Sequence, residues 1–368
     1  MSPLVISAWS ATSPFGVGAD PFRAGLEAGR SAVEPVDRET HPGPFEQAAL
    51  VPEFTAARYV GKKGTRTMDR VTALAVTTVG GLVKDLTDEL AAHPEQTGLV
   101  LGTGSGSVQS IMDFTRDSLV GERPYHVDPA RFPNTVMNRA AGQGAIWHRI
   151  KGPNTTVAGG TLTGLLALSY AVRLLRGGHC GRVLCGAAEE YSTQRAWLEW
   201  HGRAEEERDT PLGEGSAVFL VESAEAAEAA GRTALAAIGA VRFRACAEPE
   251  GAATARRTLA DCVRGALDAA GVGPENVRAV LPLAGGGPLA TQEAAAVRDA
   301  LGEARPRWTR LRDLVGDTSA AATSLQLAAA LAESGDRGLA PGEAALITGV
   351  DRDGMVGCAV LTGAGARR

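Results

Sequence analysis

The sequence predicts an α/β fold with largely parallel sheets, and two observations support this. Short hydrophobic runs typical of strands alternate along the chain with stretches that show helical periodicity. This order is typical of strands joined by crossover helices. The same order of elements appears a second time after about residue 240, which indicates a coarse internal duplication. We therefore predict two halves, residues 1–240 and 241–368.

The first half contains the clearer elements. Its predicted helices are "MDRVTALAVTTVGGLVKDL" and residues 107–119, "SVQSIMDFTRDSL", which have apolar residues at three-and-four spacing. A Pro-containing loop, a further helix and a glycine turn follow within "HVDPARFPNTVMNRAAGQGAIWHRIKGPN". Its predicted strands are "PLVISAWS", "TGLVLG", "GRVLCGAAEE" and "GSAVFLVES".

Residues 155–178, "TTVAGGTLTGLLALSYAVRLLRGG", predict a buried strand, a tight glycine turn and a long apolar helix. Many enzymes present a nucleophile at the tip of such a strand-turn-helix elbow. The residue at the tip here is Thr161. A threonine hydroxyl becomes nucleophilic only with an adjacent base, and the sequence shows none.

The second half follows the same order after the helical run "AEAAEAAGRTAL". Predicted helices are "TLADCVRGALDAAG", "TQEAAAVRDALG" and "TSAAATSLQLAAALAES", and predicted strands are "VRAVLPLAGGG", "EAALITGV" and "GCAVLTG". No segment has the low complexity of a linker.

Charge and composition exclude several classes of protein. The net charge is −5 and the pI is about 5.8, so there is no basic field for nucleic acid or for an anionic membrane. The beginning of the chain, "MSPLVISAWSATSPFG", lacks the basic and apolar segments of a signal peptide. We expect a cytoplasmic protein with neither a nucleic-acid nor a membrane partner.

The cysteines and histidines indicate neither a metal nor a cofactor. The five cysteines form no C-x-x-C pair, so we expect buried, reduced thiols. The turn "GTGSGS" has Ser107 where a dinucleotide-binding motif has its third glycine. All six histidines lie in the first 201 residues, and the second half contains none.

Seven motifs occur in the order and spacing of one known family: "ISAWSATSPFGVGADPFRAGLEAGRSAV", "TMDRVTALA", "VLGTGSGS", "KGPNTTV", "VLCGAAEE", "LGEGSAVFLVES" and "AGVGPENVRAVLP". Over nearly its whole length the chain resembles the β-ketoacyl synthases. The resemblance implies a thiolase-like fold, with two pseudo-twofold-related βαβαβ halves in a five-layered αβαβα arrangement.

The resemblance also implies that the catalytic residues are lost. In this family the elbow carries a cysteine that accepts the acyl chain, and two histidines and a lysine assist the condensation. The cysteine position falls on Thr161, the two histidine positions on Leu283 and Asp317, and the lysine position on Arg312. The C-terminal gate of the family is replaced by "GVDRDGMVGCAV". We therefore expect no condensation by this chain alone.

Within the family the chain resembles the chain length factor of type II polyketide synthases, with features of the highly reducing systems that make polyenes. The resemblance implies a heterodimer with an active ketosynthase, a carrier protein reached mainly through that ketosynthase, and a growing polyketide acyl chain. The helix after the "GTG" turn is expected to line the far end of the acyl tunnel. Candidate tunnel residues are Val108, Ile111, Met112, Thr115 and, at the interface, Phe132.

Simpler structural roles are open for the same residues. Thr161 also suits a glycine-flanked turn, and Asp317 before "TSAAAT" suits a solvated or N-capping carboxylate. Glu189, Glu190 and Glu214 are expected to make buried hydrogen bonds. Two other functions remain: an atypical acyltransferase or decarboxylase of the thiolase fold, and a homodimeric acyl-binding scaffold.

Overall fold

The structure, a computed structural model, describes residues 2–246, 252–283 and 286–365. Its strands within these ranges are β1 (Leu4–Ser13), β2 (Gly16–Val17), β3 (Glu34–Pro35), β4 (Gln47–Ala49), β5 (Thr97–Gly102), β6 (Asn154–Val157), β7 (Arg182–Glu189), β8 (Leu212–Gly213), β9 (Gly215–Ser223), β10 (Ala236–Ala245), β11 (Val277–Leu281), β12 (Arg307–Trp308), β13 (Ala344–Val350) and β14 (Met355–Thr362).

The α-helices of the same ranges are α1 (Ala19–Ala28), α2 (Ala56–Val60), α3 (Arg70–Val83), α4 (Thr87–Ala92), α5 (Val108–Val120), α6 (Arg139–His148), α7 (Thr163–Arg176), α8 (Thr193–Gly202), α9 (Ala224–Ala229), α10 (Ala252–Ala270), α11 (Gly287–Leu301), α12 (Arg312–Val315) and α13 (Ala322–Ser334). No helix of the described residues is long and apolar enough to cross a membrane.

The strand order shows the duplication that the sequence predicts. From the centre outwards, one half of the main sheet runs β1-β9-β7-β5-β6 and the other runs β10-β14-β13-β11-β12. If the five strands of each half are numbered in chain order, both halves have the same spatial order from the centre outwards, 1-5-4-2-3. The two halves join where Val5 and Ile6 of β1 pair antiparallel with Ala237 and Ala236 of β10.

The sheet is mixed, so the expectation of largely parallel sheets is wrong. In each half the two outer pairings are parallel and the two inner pairings are antiparallel. The short turn between β13 and β14 explains one case, because strands joined by a tight turn pair antiparallel. A separate small sheet, β3-β4-β8, was not predicted.

The helices form the remaining layers of the expected five-layered arrangement. Helices α3 and α6 cover the outer face of the first half, and α10 and α11 cover the outer face of the second. Helices α7 and α13 lie between the two halves of the sheet and contact strands of both. The two central helices approach closely, since a Cβ on Gly164 would lie 2.4 Å from the backbone nitrogen of Ser324.

Residue 240 lies inside β10, the first strand of the second half. We propose that the halves divide a few residues earlier, between α9 and β10, so that β10 belongs whole to the second half. The five cysteines are buried and free, as expected. Cys262 and Cys358 lie with their sulfurs 3.7 Å apart between α10 and β14.

Candidate functional site

The turn between β6 and α7 forms the predicted elbow. A single 3-10 turn, Gly160–Leu162, carries Thr161 directly before the N-terminus of α7. Gly160 has a φ of +55°, a conformation that favours glycine. A Cβ on Gly160 would lie 2.2 Å from Oδ2 of Asp351. The elbow therefore needs glycine at this position for two independent reasons.

Thr161 is bound to the carboxylate of Asp351. Oδ2 of Asp351 accepts a hydrogen bond from the backbone N–H of Thr161 and another from its hydroxyl, each at 2.7 Å. Asp351 is 8% exposed and directly follows β13. The expectation that no base lies beside the threonine is wrong. Sequence reasoning missed Asp351 because the residue stands 190 positions further along the chain.

This contact does not make Thr161 an effective nucleophile. An elbow that carries out acyl transfer needs free N–H donors to stabilise the oxyanion that forms on the substrate. Here the N–H of Thr161 is already bound to a carboxylate.

The four predicted degenerate positions come together in the structure. Thr161, Leu283, Arg312 and Asp317 all line one cavity with a volume of about 20 Å³. A cavity of this size has room for about one water molecule. The four positions therefore line one small cavity.

Leu283 forms an apolar wall of this cavity. Its side chain is 5% exposed, and its backbone N–H donates to Oε1 of the buried Glu293 at 3.0 Å. An aliphatic side chain has no donor with which to polarise a carbonyl group. The following residues of the predicted turn, Ala284 and Gly285, lie outside the described residues.

Asp317 is buried among arginines. Its Oδ2 contacts guanidinium nitrogens of Arg312 at 2.6 Å and of Arg203 at 2.7 Å, and its Oδ1 accepts from the N–H of Ser319 at 2.9 Å. The expectation of an N-cap at Asp317 is wrong, because the N-cap of the 3-10 turn Ser319–Ala321 is Thr318, which makes no side-chain cap hydrogen bond. The expectation of a solvated carboxylate is wrong, since Asp317 is 5% exposed.

The ionisation of Asp317 follows from these contacts. Burial raises its pKa, and the charges of Arg312, Arg203 and Arg195 more than offset this effect. The result is a pKa well below the usual range of an aspartate. Asp317 is therefore ionised at neutral pH, where it neutralises the neighbouring arginines, and it is unsuited to carrying a proton.

Two of these arginines come from the first half and were not predicted. Arg203 has a fully buried side chain and also contacts Glu199 at 3.2 Å. Arg195 is 4% exposed and donates to the backbone carbonyls of Glu190, Gly213 and Asp317. Nothing in the spacing of the sequence connects arginines within and directly after α8 with a carboxylate more than one hundred residues later.

Glu190 links the N-termini of two helices to the end of β7. Its carboxylate accepts from the N–H of Gln109 in α5 at 3.3 Å, from the N–H of Val71 in α3 at 3.3 Å and from the hydroxyl of Ser107 at 3.2 Å. Burial, with the charges of Asp69 and Glu189, raises the pKa of Glu190 to about 7. The carboxyl group is therefore partly protonated at neutral pH.

The buried hydrogen bonds expected of the other two glutamates are confirmed. Oε2 of Glu189 accepts from the N–H of Gly104 at 3.2 Å. The two oxygens of Glu214 accept from Arg70 at 2.5 and 2.9 Å, and one also accepts from the N–H of Val51 at 2.9 Å. These glutamates join strand ends to neighbouring loops.

Helix α5 carries four of the predicted tunnel residues on one face. Val108 is buried and lines a groove of about 240 Å³ together with Leu198 and Arg352. Met112 is 41% exposed and Thr115 is exposed, whereas Ile111 is half-buried. Phe132, the fifth candidate, is 58% exposed and contacts Phe114 of α5 with ring centroids 5.9 Å apart.

Large apolar side chains are exposed around this helix. Helix α5 contacts the 3-10 segment Pro129–Thr135, this segment contacts α6, and α6 contacts β6 at the end of the sheet. We call the exposed surface of these elements the α5–α6 face; it exposes Met112, Leu119, Val120, Phe132 and Ile146. An exposed apolar area next to a strand edge that has no pairing strand among the described residues is typical of an interaction surface.

Within the described ranges, no group of three or more histidine, cysteine, aspartate or glutamate side chains is arranged to hold a metal ion.

The doubled strand order, the five layers and the elbow at the N-terminus of a central helix define a ketosynthase-like protein of the thiolase fold. Residues 1–204 match the family described as "Beta-ketoacyl synthase, N-terminal domain", and the chain belongs to this family. The resemblance inferred from the sequence motifs is confirmed.

Among solved structures, the ishigamide ketosynthase/chain length factor contains a chain that is 40% identical, with a TM-score of 0.88. The match covers 99% of the present chain and 100% of that chain. A β-ketoacyl synthase from Burkholderia phymatum has the same fold, with 21% identity, a TM-score of 0.83 and coverage of 99% and 100% of the two chains.

Two curated relatives are 3-oxoacyl-[acyl-carrier-protein] synthases 2. The protein from Synechocystis sp. is 26% identical over 249 residues, which are 62% of this chain and 59% of the relative. The protein from Staphylococcus aureus is 25% identical over 326 residues, which are 82% of this chain and 77% of the relative. The chain thus spans between about three fifths and three quarters of the length of these relatives.

Proposed function

We propose that this chain is a chain length factor: a non-catalytic subunit that forms a heterodimer with an active ketosynthase and shapes the tunnel for its acyl chain. One observation carries the proposal. A ketosynthase-like fold has at its elbow a threonine that is bound to the carboxylate of Asp351. The fold is retained while the site for the chemistry is filled.

The loss of chemistry has a physical basis. A cysteine is effective at an elbow because its thiolate is accessible near neutral pH, particularly at a helix N-terminus. Thr161 lacks this property, and no histidine follows residue 201 to polarise a thioester carbonyl. An atypical hydroxyl-dependent enzyme is disfavoured, because the cavity at Thr161 has room for about one water molecule.

The proposed partner would cover the α5–α6 face and the edge of β6. Strand β6 is the last strand on its side of the sheet, so its outer edge has no pairing strand among the described residues. A ketosynthase with the same fold has an equivalent strand, which would extend the sheet across the interface. Interfaces of this obligate type bury more than about 2,000 Å² and are largely apolar.

The same arrangement supports a role in chain length. Helix α5 lies beside the proposed interface, and its face with Met112 and Val108 would meet an acyl chain that extends from the cysteine of the ketosynthase. The carrier protein would deliver its substrates mainly to the ketosynthase, because only that subunit forms the acyl-enzyme. The pathway proposed for the complex is polyketide biosynthesis.

Co-expression with the ketosynthase of the same gene cluster tests this proposal. We expect the two chains to purify as a 1:1 complex that forms product, and native mass spectrometry would show its composition. Ile146→Asp should weaken the complex at least tenfold, because Ile146 is 74% exposed on the α5–α6 face. Thr291→Asp is a matched control, since Thr291 is exposed on α11 in the other half.

Three outcomes would contradict the proposal. A stable, monodisperse monomer that does not bind the ketosynthase would exclude the heterodimer. It would also exclude strand pairing between the two chains and an acyl tunnel shared by them. A purified chain that becomes acylated on its own would favour the atypical enzyme. A stable homodimer that excludes the ketosynthase would favour the scaffold.

A further inference from the structure

We propose that Asp351 is a built-in anion that closes the elbow to acylation, whichever residue stands at position 161. This inference rests on the proposed non-catalytic function and names the residue that enforces it. The loss of the cysteine is then one of two independent blocks, and the second is supplied by the turn between β13 and β14.

Asp351 is held firmly where it meets the elbow. Its backbone N–H donates to the carbonyl of Met355 at 2.8 Å, and its backbone carbonyl accepts from the N–H of Gly354 at 3.1 Å. Its second carboxylate oxygen, Oδ1, accepts from the N–H of Asp353 at 3.0 Å. The carboxylate therefore has a fixed direction toward Thr161.

The elbow is shaped to accept this carboxylate. Oδ2 of Asp351 lies so near Gly160 that a side chain there would collide with it, at 2.2 Å from the Cβ. Both donors at the tip of the elbow, the N–H and the hydroxyl of Thr161, are bound to this one oxygen. A substrate oxygen would have to displace Asp351 to reach the N–H.

The charge of Asp351 is not neutralised by an ion pair within the described residues. The neighbouring Arg352 turns away, toward Glu207 at 3.2 Å and Glu199 at 3.5 Å. Asp351 is therefore stabilised mainly by hydrogen bonds from the elbow and from its own turn. A second anion at position 161, such as a thiolate, would be repelled by this carboxylate at close range.

The closure has two parts that substitutions can separate. The negative charge opposes formation of a thiolate, and occupation of the N–H removes a donor for the oxyanion. Asp351→Asn removes the charge and keeps the size of the side chain. Asp351→Gly removes the charge and the side chain, so the backbone N–H of Thr161 is left free.

Alkylation of a cysteine introduced at the elbow tests the inference. In the full chain, Thr161→Cys is compared with Thr161→Cys/Asp351→Asn and Thr161→Cys/Asp351→Gly, using iodoacetamide and peptide mass mapping of residue 161. In this reaction the sulfur forms a bond to carbon, iodide leaves, and the thiol proton passes to solvent. The five native cysteines are buried and serve as internal references.

We expect the introduced cysteine, with Asp351 beside it, to react with a pH midpoint above about 9, compared with about 8.5 for an ordinary thiol. Each change at Asp351 should increase the rate at pH 7.5 at least tenfold. Asp353→Asn, in the same turn, should have no such effect, because no hydrogen bond or ion pair joins its side chain to Thr161 among the described residues. If the Asp351 variants do not fold, the pH midpoint of Thr161→Cys alone decides.

A pH midpoint at or below about 8.5 for Thr161→Cys would overturn the inference, as would equal rates with and without Asp351. Binding to the ketosynthase is measured separately on the same variants. A chain that binds the ketosynthase while its introduced cysteine reacts rapidly contradicts only the role of Asp351. A chain that does not bind, with the introduced cysteine protected, contradicts only the proposed function.

Discussion

The hydroxyl of Thr161 and the carboxylate of Asp351 form a 2.7 Å hydrogen bond that joins the two halves of the fold. Thr161 belongs to the elbow before α7, and Asp351 belongs to the turn between β13 and β14. The position that the sequence resemblance assigns to the nucleophile therefore has a structural contact in this chain, and its removal should affect stability more than product formation.

Thr161→Ala should leave product formation by the heterodimer within about twofold of the unchanged protein. The variant loses one hydrogen bond to a charged acceptor, which should lower the free energy of unfolding by about 1.5–3 kcal/mol. Thermal unfolding and product analysis of the same preparation would measure both effects. A hundredfold drop in product with an intact heterodimer would show that Thr161 takes part in the chemistry.

Asp317→Asn should destabilise the chain by about 3–5 kcal/mol, because it leaves the buried Arg203 and the partly buried Arg312 without their anion. Chemical denaturation would measure this loss. The pKa of Asp317 is lower in the folded than in the unfolded chain. Its contribution to stability is therefore fully present at a pH above the ordinary pKa of an aspartate, and it is lost as the pH falls toward the pKa of the folded state. Glu303→Gln is a suitable control, because Glu303 forms only an exposed pair with Arg305. An equal effect of both substitutions would contradict the prediction.

Stability should decrease as the pH rises from about 4.5 to about 7, because Glu190 has a raised pKa of about 7 in the fold. In this range the folded state retains a proton that the unfolded chain releases, so each increase in pH favours unfolding. Buried Glu189 and Asp69 also have raised pKa values, which gives the same sign. Melting temperatures at pH 5, 6, 7 and 8 would show the trend.

Glu190→Gln is the comparison for this pH dependence. The amide cannot titrate, so the variant should show a weaker decrease between pH 5 and 8, even if it is less stable at every pH. In the variant, an amide group stands where a carboxylate oxygen of Glu190 accepts from the N–H of Val71. This change should lower stability by a similar amount at every pH. Identical pH profiles for both proteins would assign the titration to another group.

Met112→Trp should shift the complex to shorter products, and Met112→Ala should permit longer ones. One helical turn rises about 5.4 Å, a length similar to two two-carbon units of an acyl chain. Met112 is the preferred position, because it is 41% exposed while Val108 is 8% exposed and would disturb the core when enlarged. Product masses and acylation of the ketosynthase are measured together, and acylation should be unchanged.

Asp117→Trp is the matched control for this helix. Asp117 lies nine residues after Val108, about half a turn around α5, so it faces away from Val108 and Met112 and instead pairs with Arg131 at 3.5 Å. An unchanged product length with large and small residues at Met112, in an intact heterodimer, would leave only a scaffolding role.

The sequence predicted the fold well where local patterns carried the information. The elbow, α3, α5 and the repeated order of strands and helices follow from hydrophobic periodicity and glycine turns. Strand β10 and helix α8 were not predicted, and the antiparallel inner pairings were not expected. Pairing direction depends on how distant strands meet, which short windows of sequence do not determine.

In the candidate site, too, sequence motifs predicted some residues, whereas the residues that act through distant contacts were not predicted. Thr161, Leu283, Arg312 and Asp317 could be assigned from the motifs of the family, and the structure brings them to one cavity. The partners that fix their chemistry, Asp351 and Arg203, could not be assigned. These residues act through tertiary contacts over more than one hundred positions, and no local pattern marks them.

The open edge of β6 has a consequence for how the protein is made in the cell. Among the described residues the outer edge of β6 has no pairing strand, so under the proposed function a chain without its ketosynthase would pair with a second copy of itself. Such a pair would contain two filled elbows and would be inert. We therefore expect the amount of active complex to depend on equal synthesis of this chain and the proposed ketosynthase. Any excess of this chain would form inactive pairs.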